Sequence, residues 1–350
     1  MNKGKVYIGL SGGVDSSVAA ALLIKEGYDV TGVFIQGWYP DWIPCTWRED
    51  RLDAMRVAVR LGIPFVTLNL EDEYKRDVID YLVAEYRKGR TPNPDIMCNR
   101  EVKFGAFARW AYGQGAQYVA TGHYARIVDG ALCAGVDDSK DQSYFLWALS
   151  KDVLLRTLFP LGGMKKDDVR RLARRYGLPT ATKGDSQGIC FLGEVDIDTF
   201  LSHYIPPHRG DVLDEAGRVI GHHDGVLPLT LGARHGFTLT RRETNAEPYY
   251  VVARDIERNT ITVAHRAYGG GLPSQKRDYE LVSTNWIEEV MVGHTYTARI
   301  RHLGEKHALV VNTLSAGTAR VAFNTPCTIA PGQSVVLYDG ERCLGGGIVA

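Results

Sequence analysis

Ser11-Gly12-Gly13-Val14-Asp15-Ser16-Ser17 is the stretch on which the fold turns, because of what stands on either side of it. Val6–Leu10 ahead of it is a short apolar run, and Val14–Lys25 behind it has the texture of a helix stopped by Gly27. Between a strand and a helix, two glycines let backbone approach an anion closely. The hydroxyls add donors, and the helix start adds free N–H groups and a partial positive charge. No Gly-Lys-Ser/Thr follows, so this is not a Walker A loop. A plain turn with an N-cap would use the same residues; the strand–loop–helix setting favours a nucleotide phosphate.

Outward from the loop, strands and helices alternate. Asp29–Ile35 reads as a strand, Arg51–Leu61 as a helix and Ile63–Leu70 as a strand. Tyr74–Lys88 is an amphipathic helix with Val78, Leu82 and Tyr86 four apart; Asn99–Tyr112 follows as a helix and Tyr118–Thr121 as a buried strand. The expected fold class is α/β, a doubly wound parallel sheet with ligands at the carboxyl ends of its strands. After Pro206 the texture changes to short β-rich runs (Tyr249–Ala253, Thr260–Ala264, Tyr296–Ile300, Ala308–Val311, Ser334–Tyr338) punctuated by Gly, Asp-Gly and Pro. With boundaries at Pro206-Pro207 and Gly269–Pro273, the expected division is an α/β domain carrying the loop over 1–205, a β-rich linker module over 206–272 and a small C-terminal β-barrel over 273–350.

Composition bounds the rest. Of 350 residues 45% are hydrophobic and 23% charged, ordinary for a globular chain. Lysine plus arginine equals aspartate plus glutamate, 41 against 41, and the balance is 15 against 15 from Pro206 onward. Charge alone therefore names no nucleic-acid partner. Runs such as Val18–Ile24 stop short of a membrane span, and Met1–Leu10 does not read as a secretory signal, so no membrane and a cytoplasmic location are expected. The six cysteines (45, 98, 133, 190, 327, 343) contain no Cys-x-x-Cys, which disfavours a zinc ribbon, an iron–sulfur centre or any dedicated metal site. A lone cysteine is by default a small buried hydrophobe, the reading given to Cys133, Cys327 and Cys343; Cys45, in a loop with Trp38, Trp42 and Trp47, stays open.

SGGVDSS resembles the PP-loop of the N-type ATP pyrophosphatases. That resemblance implies an adenine-nucleotide α-hydrolase-like fold, and ATP with its Mg2+ cleaved between the α and β phosphates so that an oxygen takes AMP. Three further segments narrow it: Gly89-Arg90-Thr91-Pro92-Asn93-Pro94-Asp95-Ile96-Met97-Cys98-Asn99, then Ala120-Thr121-Gly122-His123-Tyr124 with Lys140-Asp141-Gln142-Ser143-Tyr144-Phe145, then Asp185-Ser186-Gln187-Gly188-Ile189-Cys190-Phe191. Together and in order, through Cys343-Leu344-Gly345-Gly346-Gly347, these resemble the tRNA-specific 2-thiouridylases.

What the resemblance implies is ATP-dependent 2-thiolation of the wobble uridine of tRNA. Cys190 would carry a persulfide received from a sulfur donor or relay protein. Cys98 would resolve it, leaving a Cys98–Cys190 disulfide, and Asp95 would be the acid/base. ATP would meet Gly9, Leu10, Ser11, Gly12, Gly13, Val14, Asp15, Ser16, Ser17, Ile35 and Gly122. Transfer RNA would meet Asn93, Pro94, Asp95, His123, Lys140, Asp141, Gln142, Arg301, His302 and Gln333. The chemistry agrees: replacing an oxygen by sulfur needs a leaving group and a sulfur nucleophile. Cys98, just ahead of the predicted helix from Asn99, would have its thiol lowered from about 8.5 by the helix N-terminus.

The chain departs from the family pattern at Ile35 (usually Met), at Ala233 and His235 in Thr230–Gly236 (usually Gln and Lys), and at His302 (usually Tyr). Lys165–Arg175 is the densest basic stretch, either a solvated helix face or a phosphate contact. Two other classes compete: another PP-loop ligase acting on a different carbonyl, and a non-catalytic RNA-binding protein that senses ATP. No glutaminase-like region is apparent to serve the first, and neutral charge counts against the second.

Overall fold

The computed structural model describes residues 3–43, 47–185, 188, 190–193, 195–240, 247–265 and 272–350. Cys45, the Ser186, Gln187 and Ile189 positions of the third motif and most of the Gly269–Pro273 boundary lie outside the described residues. Among the described residues no helix is long and apolar enough to cross a membrane.

Five parallel strands form the first sheet: β1 (Lys5–Gly9), β2 (Asp29–Gln36), β3 (Phe65–Asn69), β4 (Tyr118–Ala120) and β7 (Thr157–Leu158), in the order β3-β2-β1-β4-β7. Between β4 and β7 the chain makes a hairpin, β5 (Ala125–Val128) and β6 (Ala131–Ala134). Both faces of the sheet are covered, as the continuous apolar strands require. Val6 and Ile8 of β1 face a core shared with α1 (Val14–Glu26) and α2 (Trp47–Leu61), while Tyr7 and Val33 face the helices of 71–87 and 94–113. Gly27, at φ 93°, closes α1 in the left-handed conformation that glycine tolerates. The order reverses between β1 and β4, and the PP-loop leaves β1 at that reversal, where open α/β sheets bind ligands.

The helix carrying the second motif corrects the sequence reading. It starts at Pro94, not Asn99: Asn93 Oδ1 accepts from the N–H groups of Asp95 (3.0 Å) and Ile96 (3.3 Å), and proline occupies the first helical position. Asn before Pro is a helix start, because the cap needs an oxygen and the first position needs no N–H. Cys98 therefore sits a turn inside the helix, where the N–H groups are already used, and the helix-end argument for its thiol fails. From Cys98 to Ala106 the backbone is π-helical, as it is over Lys75–Asp80.

The middle of the chain forms a five-stranded sheet in the order β10-β9-β8-β12-β11, from β8 (Gly210–Leu213), β9 (Val219–His223), β10 (Phe237–Leu239), β11 (Tyr250–Asp255) and β12 (Thr260–Ala264). The rest is a closed antiparallel barrel of six strands: β13 (Lys276–Trp286), β14 (Thr295–Arg299), β15 (His307–Ser315), β16 (Thr318–Cys327), β17 (Ser334–Asp339) and β18 (Arg342–Val349). Closure comes from β13 pairing with both β16 and β18. The β5–β6 hairpin adds to the barrel wall, Cys133 opposite Arg342. Cys133, Cys327 and Cys343 are buried in these strands.

Candidate active site

The loop after β1 is built from its own hydroxyls. Ser11 N–H donates to Ser16 Oγ (3.2 Å), Ser16 Oγ to the Gly13 carbonyl (3.2 Å), and Ser17 Oγ to the same carbonyl (2.7 Å). Gly12 has φ 75°, and a Cβ there would meet the Asp50 carbonyl oxygen at 2.3 Å, so both conformation and space demand glycine. Val14 is buried at the start of α1, and Leu10 packs under Gly32 of β2. Gly9 and Ile35 are neighbours at the strand ends, with the Ile35 δ-methyl at 4.0 Å from where a Gly9 Cβ would be.

Gly122, leaving β4, closes the other side. A Cβ there would lie 2.8 Å from Ser16 N and 2.9 Å from Asp15 C, so the end of β4 rests on the first turn of α1. Gly122→Ala should push the loop out of register. Overpacking of this kind costs about 1–3 kcal/mol, so ATP affinity measured by calorimetry should fall roughly 5- to 150-fold with little change in circular dichroism.

Asp15 is the loop's carboxylate and is held by two groups. Tyr124 donates its hydroxyl to Oδ1 (2.7 Å), and Lys166 Nζ reaches both oxygens at 2.7 Å. Burial and Asp15 push the Tyr124 phenol up, so it stays a donor. Lys166 also pairs with Asp185 (2.9 Å), which takes Lys140 (2.8 Å) and Arg170 (2.7 Å) as well. Burial works against ionisation of Asp185, yet Lys140 and Lys166 hold its carboxyl down to about 2. Lys183 bonds Asp50 (2.7 Å) and Asp53 (2.8 Å) of α2. The segment entering the third motif is thus tied to the PP-loop by ion pairs. Lys166 and Arg170 come from the helix Lys166–Arg175, where the sequence offered only a basic run.

The two motif cysteines meet. Both are free thiols, and Cys98 stands close enough to Cys190 to raise its thiol pKa. Four groups clamp the turn that presents Cys190. Tyr74 donates to the Cys190 carbonyl (2.6 Å), Tyr39 to the Phe191 carbonyl, the Cys190 N–H to Asp95 Oδ1 (3.3 Å), and Lys103 Nζ to the Cys190 sulfur (3.5 Å). Phe191 is held at φ 71°, a strained conformation for an aromatic residue, with Tyr74 packed edge-on against its ring at 5.3 Å. His123 is buried, its Nδ1 at 2.7 Å from Thr121 Oγ1, with Phe104 and Phe159 around the ring. Burial and then the nearby Lys103 hold it well below the usual histidine range, so it is neutral.

The remaining RNA-contact candidates are placed differently from one another. Lys140 is engaged by Asp185, and Gln142 Oε1 accepts from Tyr124 N–H (3.0 Å). Asp141 is wholly buried and pairs with Arg299 of β14, while also accepting from Gly135 N–H (2.9 Å) and Ser143 N–H (3.0 Å). His302 Nε2 bonds the Asp141 carbonyl (2.9 Å), and its ring lies against Phe145. Arg301 is exposed, and Gln333 Oε1 accepts from Ala330 N–H (3.0 Å). This cluster joins the 141–145 segment to the barrel.

Family models cover most of the chain: a tRNA methyl transferase HUP domain over residues 4–194, a tRNA methyl transferase PRC-barrel domain over 198–265 and an aminomethyltransferase beta-barrel domain over 278–349. The tRNA-specific 2-thiouridylase MnmA of Listeria innocua is 44% identical over 352 residues, spanning 99% of this chain and 94% of its own. That of Bacillus subtilis is 43% identical over 357 residues, with the same shares. The chain belongs to the tRNA-specific 2-thiouridylase family. Among solved structures, a U34-tRNA thiolase from Methanococcus maripaludis overlays with a TM-score of 0.36 at 22% identity, covering 59% of this chain and 67% of that one.

Departures from the 2-thiouridylase pattern are absorbed in different ways. His302 keeps a hydrogen bond and a ring contact to the 141–145 segment. His235 is exposed and bonded to Arg234 (3.1 Å), and Ala233 packs beside the central core. Sequence reasoning passed over Lys103, Tyr74, Tyr39, Tyr124, Lys166 and Asp185. For Lys103 a signal existed: it stands five residues after Cys98, and a π-turn closes i to i+5. An α-helical reading puts that pair out of line.

Proposed function

We propose that the protein is an ATP-dependent tRNA uridine 2-sulfurtransferase acting on the wobble base, and the observation that carries this is the contact between the free thiols of Cys98 and Cys190. Two cysteines 92 positions apart have no reason to meet at the carboxyl edge of a nucleotide-binding sheet unless sulfur is handled there. ATP is a substrate. Its phosphates fit the cradle of Ser11–Ser17 and the first turn of α1, and its Mg2+ would draw on phosphate oxygens with Asp15 as the loop's carboxylate.

The C2 oxygen of uridine attacks the α-phosphorus, a P–O bond forms, and pyrophosphate leaves with its electron pair. Asp95, which accepts from the Cys190 N–H, would take the N3 proton. Cys98 thiolate then attacks the inner sulfur of a Cys190 persulfide, forming the disulfide and releasing hydrosulfide. Hydrosulfide adds at C2, AMP departs with the oxygen, and an external thiol reduces the disulfide. Arg301, His302, Gln333, Lys140 and the backbone of 141–142 would face the anticodon arm, reading an unpaired base by stacking and edge contacts.

Incubation with ATP, Mg2+, a persulfide donor and tRNA, followed by digestion, should yield 2-thiouridine. Pyrophosphate without thiolation would instead favour a different PP-loop ligase, and neither product would favour an RNA-binding protein.

A further inference from the structure

Lys103 rises from the π-helical stretch that Cys98 begins, and its ammonium stands 3.5 Å from the Cys190 sulfur. Among the described residues it forms no salt bridge to a carboxylate; sulfur is the polar partner it has. Its other close neighbour is the Phe191 ring, 5.9 Å to the centroid. A half-buried cation packed beside an aromatic ring is costly unless an anion meets it. Burial opposes its charge, but Cys190, Cys98 and Asp95 together raise its pKa, so it stays an ammonium.

We propose that Lys103 is the counter-cation of the sulfur chemistry, favouring the anionic form of the Cys190 sulfur, first as the thiolate that is loaded and then as persulfide, and fixing its direction. This rests on the sulfurtransferase reading above. In the loading step the Cys190 thiolate attacks the outer sulfur of a donor persulfide. A new S–S bond forms, the donor S–S bond breaks, and the donor's inner sulfur leaves with the electron pair and takes the outer sulfur's proton. Lys103 keeps its own protons, and no net oxidation occurs.

The groups facing Cys190 make the assignment specific. Cys98, Asp95 and Lys103 come from the 94–113 helices, Tyr74 from 71–87 and Tyr39 from the loop after β2. Cys98, burial and Asp95 together push the Cys190 thiol well above the usual thiol range, and Lys103 is the neighbour that pulls it back down. His123, the titratable group nearest Lys103 on the β4 side, is neutral and does not compete for its charge.

The test is the pH profile of Cys190 alkylation by iodoacetamide in the reduced full-length protein, read peptide by peptide by mass spectrometry. One pKa unit is tenfold in thiolate below the midpoint. Lys103→Met should therefore slow Cys190 labelling at pH 8 by about tenfold or more and move the midpoint up. Lys103→Arg, which keeps the charge, should stay within about threefold of the parent. Lys103→Gln carries the same expectation as Lys103→Met if the latter loses its fold, which simultaneous rapid labelling of buried Cys343 would reveal. A Lys103→Met profile that overlays the parent overturns the proposal, as does an arginine variant as slow as methionine. Absence of 2-thiouridine with the labelling shift intact would sink the function and leave the lysine–sulfur pairing. Thiolation with no shift would sink the pairing alone.

Discussion

Cys190→Ser should abolish 2-thiouridine formation, by about 10³-fold or more, while leaving the first turnover of tRNA-dependent pyrophosphate release within a few-fold of the parent. The two halves of the chemistry use different parts of the molecule. On the proposed reading the phosphates would lie on the loop from Ser11 to Ser17, and the sulfur would be handled where the 94–113 helices face the Cys190 turn. Serine keeps the size and the hydrogen bond to Lys103, so the turn clamped by Tyr74 and Tyr39 should persist. Cys98→Ser should block at a later point: Cys190 still accepts sulfane sulfur, visible as a persulfide by mass spectrometry, but does not hand it on. Retention of thiolation in either single variant would show that the pair is ordinary packing. Loss of pyrophosphate release in Cys190→Ser would mean that the sulfur and phosphate halves cannot be separated.

Arg299→Met should cost about 3 kcal/mol of stability, the lower end of what breaking a buried ion pair does. Arg299 lies in the barrel and Asp141 in the first domain; side-chain exposures of 9% and 0% leave the carboxylate no access to water once its partner is gone. Hydrogen bonds from Gly135, Ser143 N–H and the Ser143 hydroxyl remain, which is why the upper end is not expected. Removing the charge as well, in Asp141→Asn/Arg299→Met, should restore a large share, since the loss comes chiefly from a stranded anion. Urea midpoints of the four proteins give the coupling directly. A cost below about 1 kcal/mol would show that the joint does not depend on this pair.

The joint also shows where sequence reading stops. The PP-loop, its flanking strand and helix, and the alternation after it were legible because each rests on local chemistry. Glycine is required at 12, apolar residues fill β1, and a left-handed stop stands at Gly27. Strand runs such as Thr260–Ala264 were legible for the same reason. The helix start at Pro94 differs from the expected start at Asn99 because the cap by Asn93 and the proline at the first helical position lie ahead of the periodic apolar run. The β5–β6 hairpin has a local mark, Asp129-Gly130 at φ 50° and 77°, but its pairing with the remote Arg342 has none, nor does the Asp15–Lys166–Asp185 chain, whose members are drawn from three places in the fold. Asp141 was read as a surface contact, since a carboxylate between Lys and Gln looks solvated; only the arrival of Arg299 makes its burial affordable.

The segment that leads into Cys98 is braced from far downstream. Thr91 N–H donates to the Pro331 carbonyl (2.7 Å), Arg90 reaches the Val349 carbonyl (3.4 Å), and Arg254 holds the Gly89 carbonyl (2.6 Å). Arg90 and Val349 are 259 positions apart. A ribosome adding about 5–20 residues per second needs on the order of 10–50 s to travel that distance. Through that interval the nascent first domain can close its parallel sheet and form its phosphate loop, but the approach to its thiols lacks the far wall. Competence for nucleotide therefore precedes competence for sulfur during synthesis, and a chain arrested before β18 would be one that can fold around ATP with its reactive cysteine unguarded.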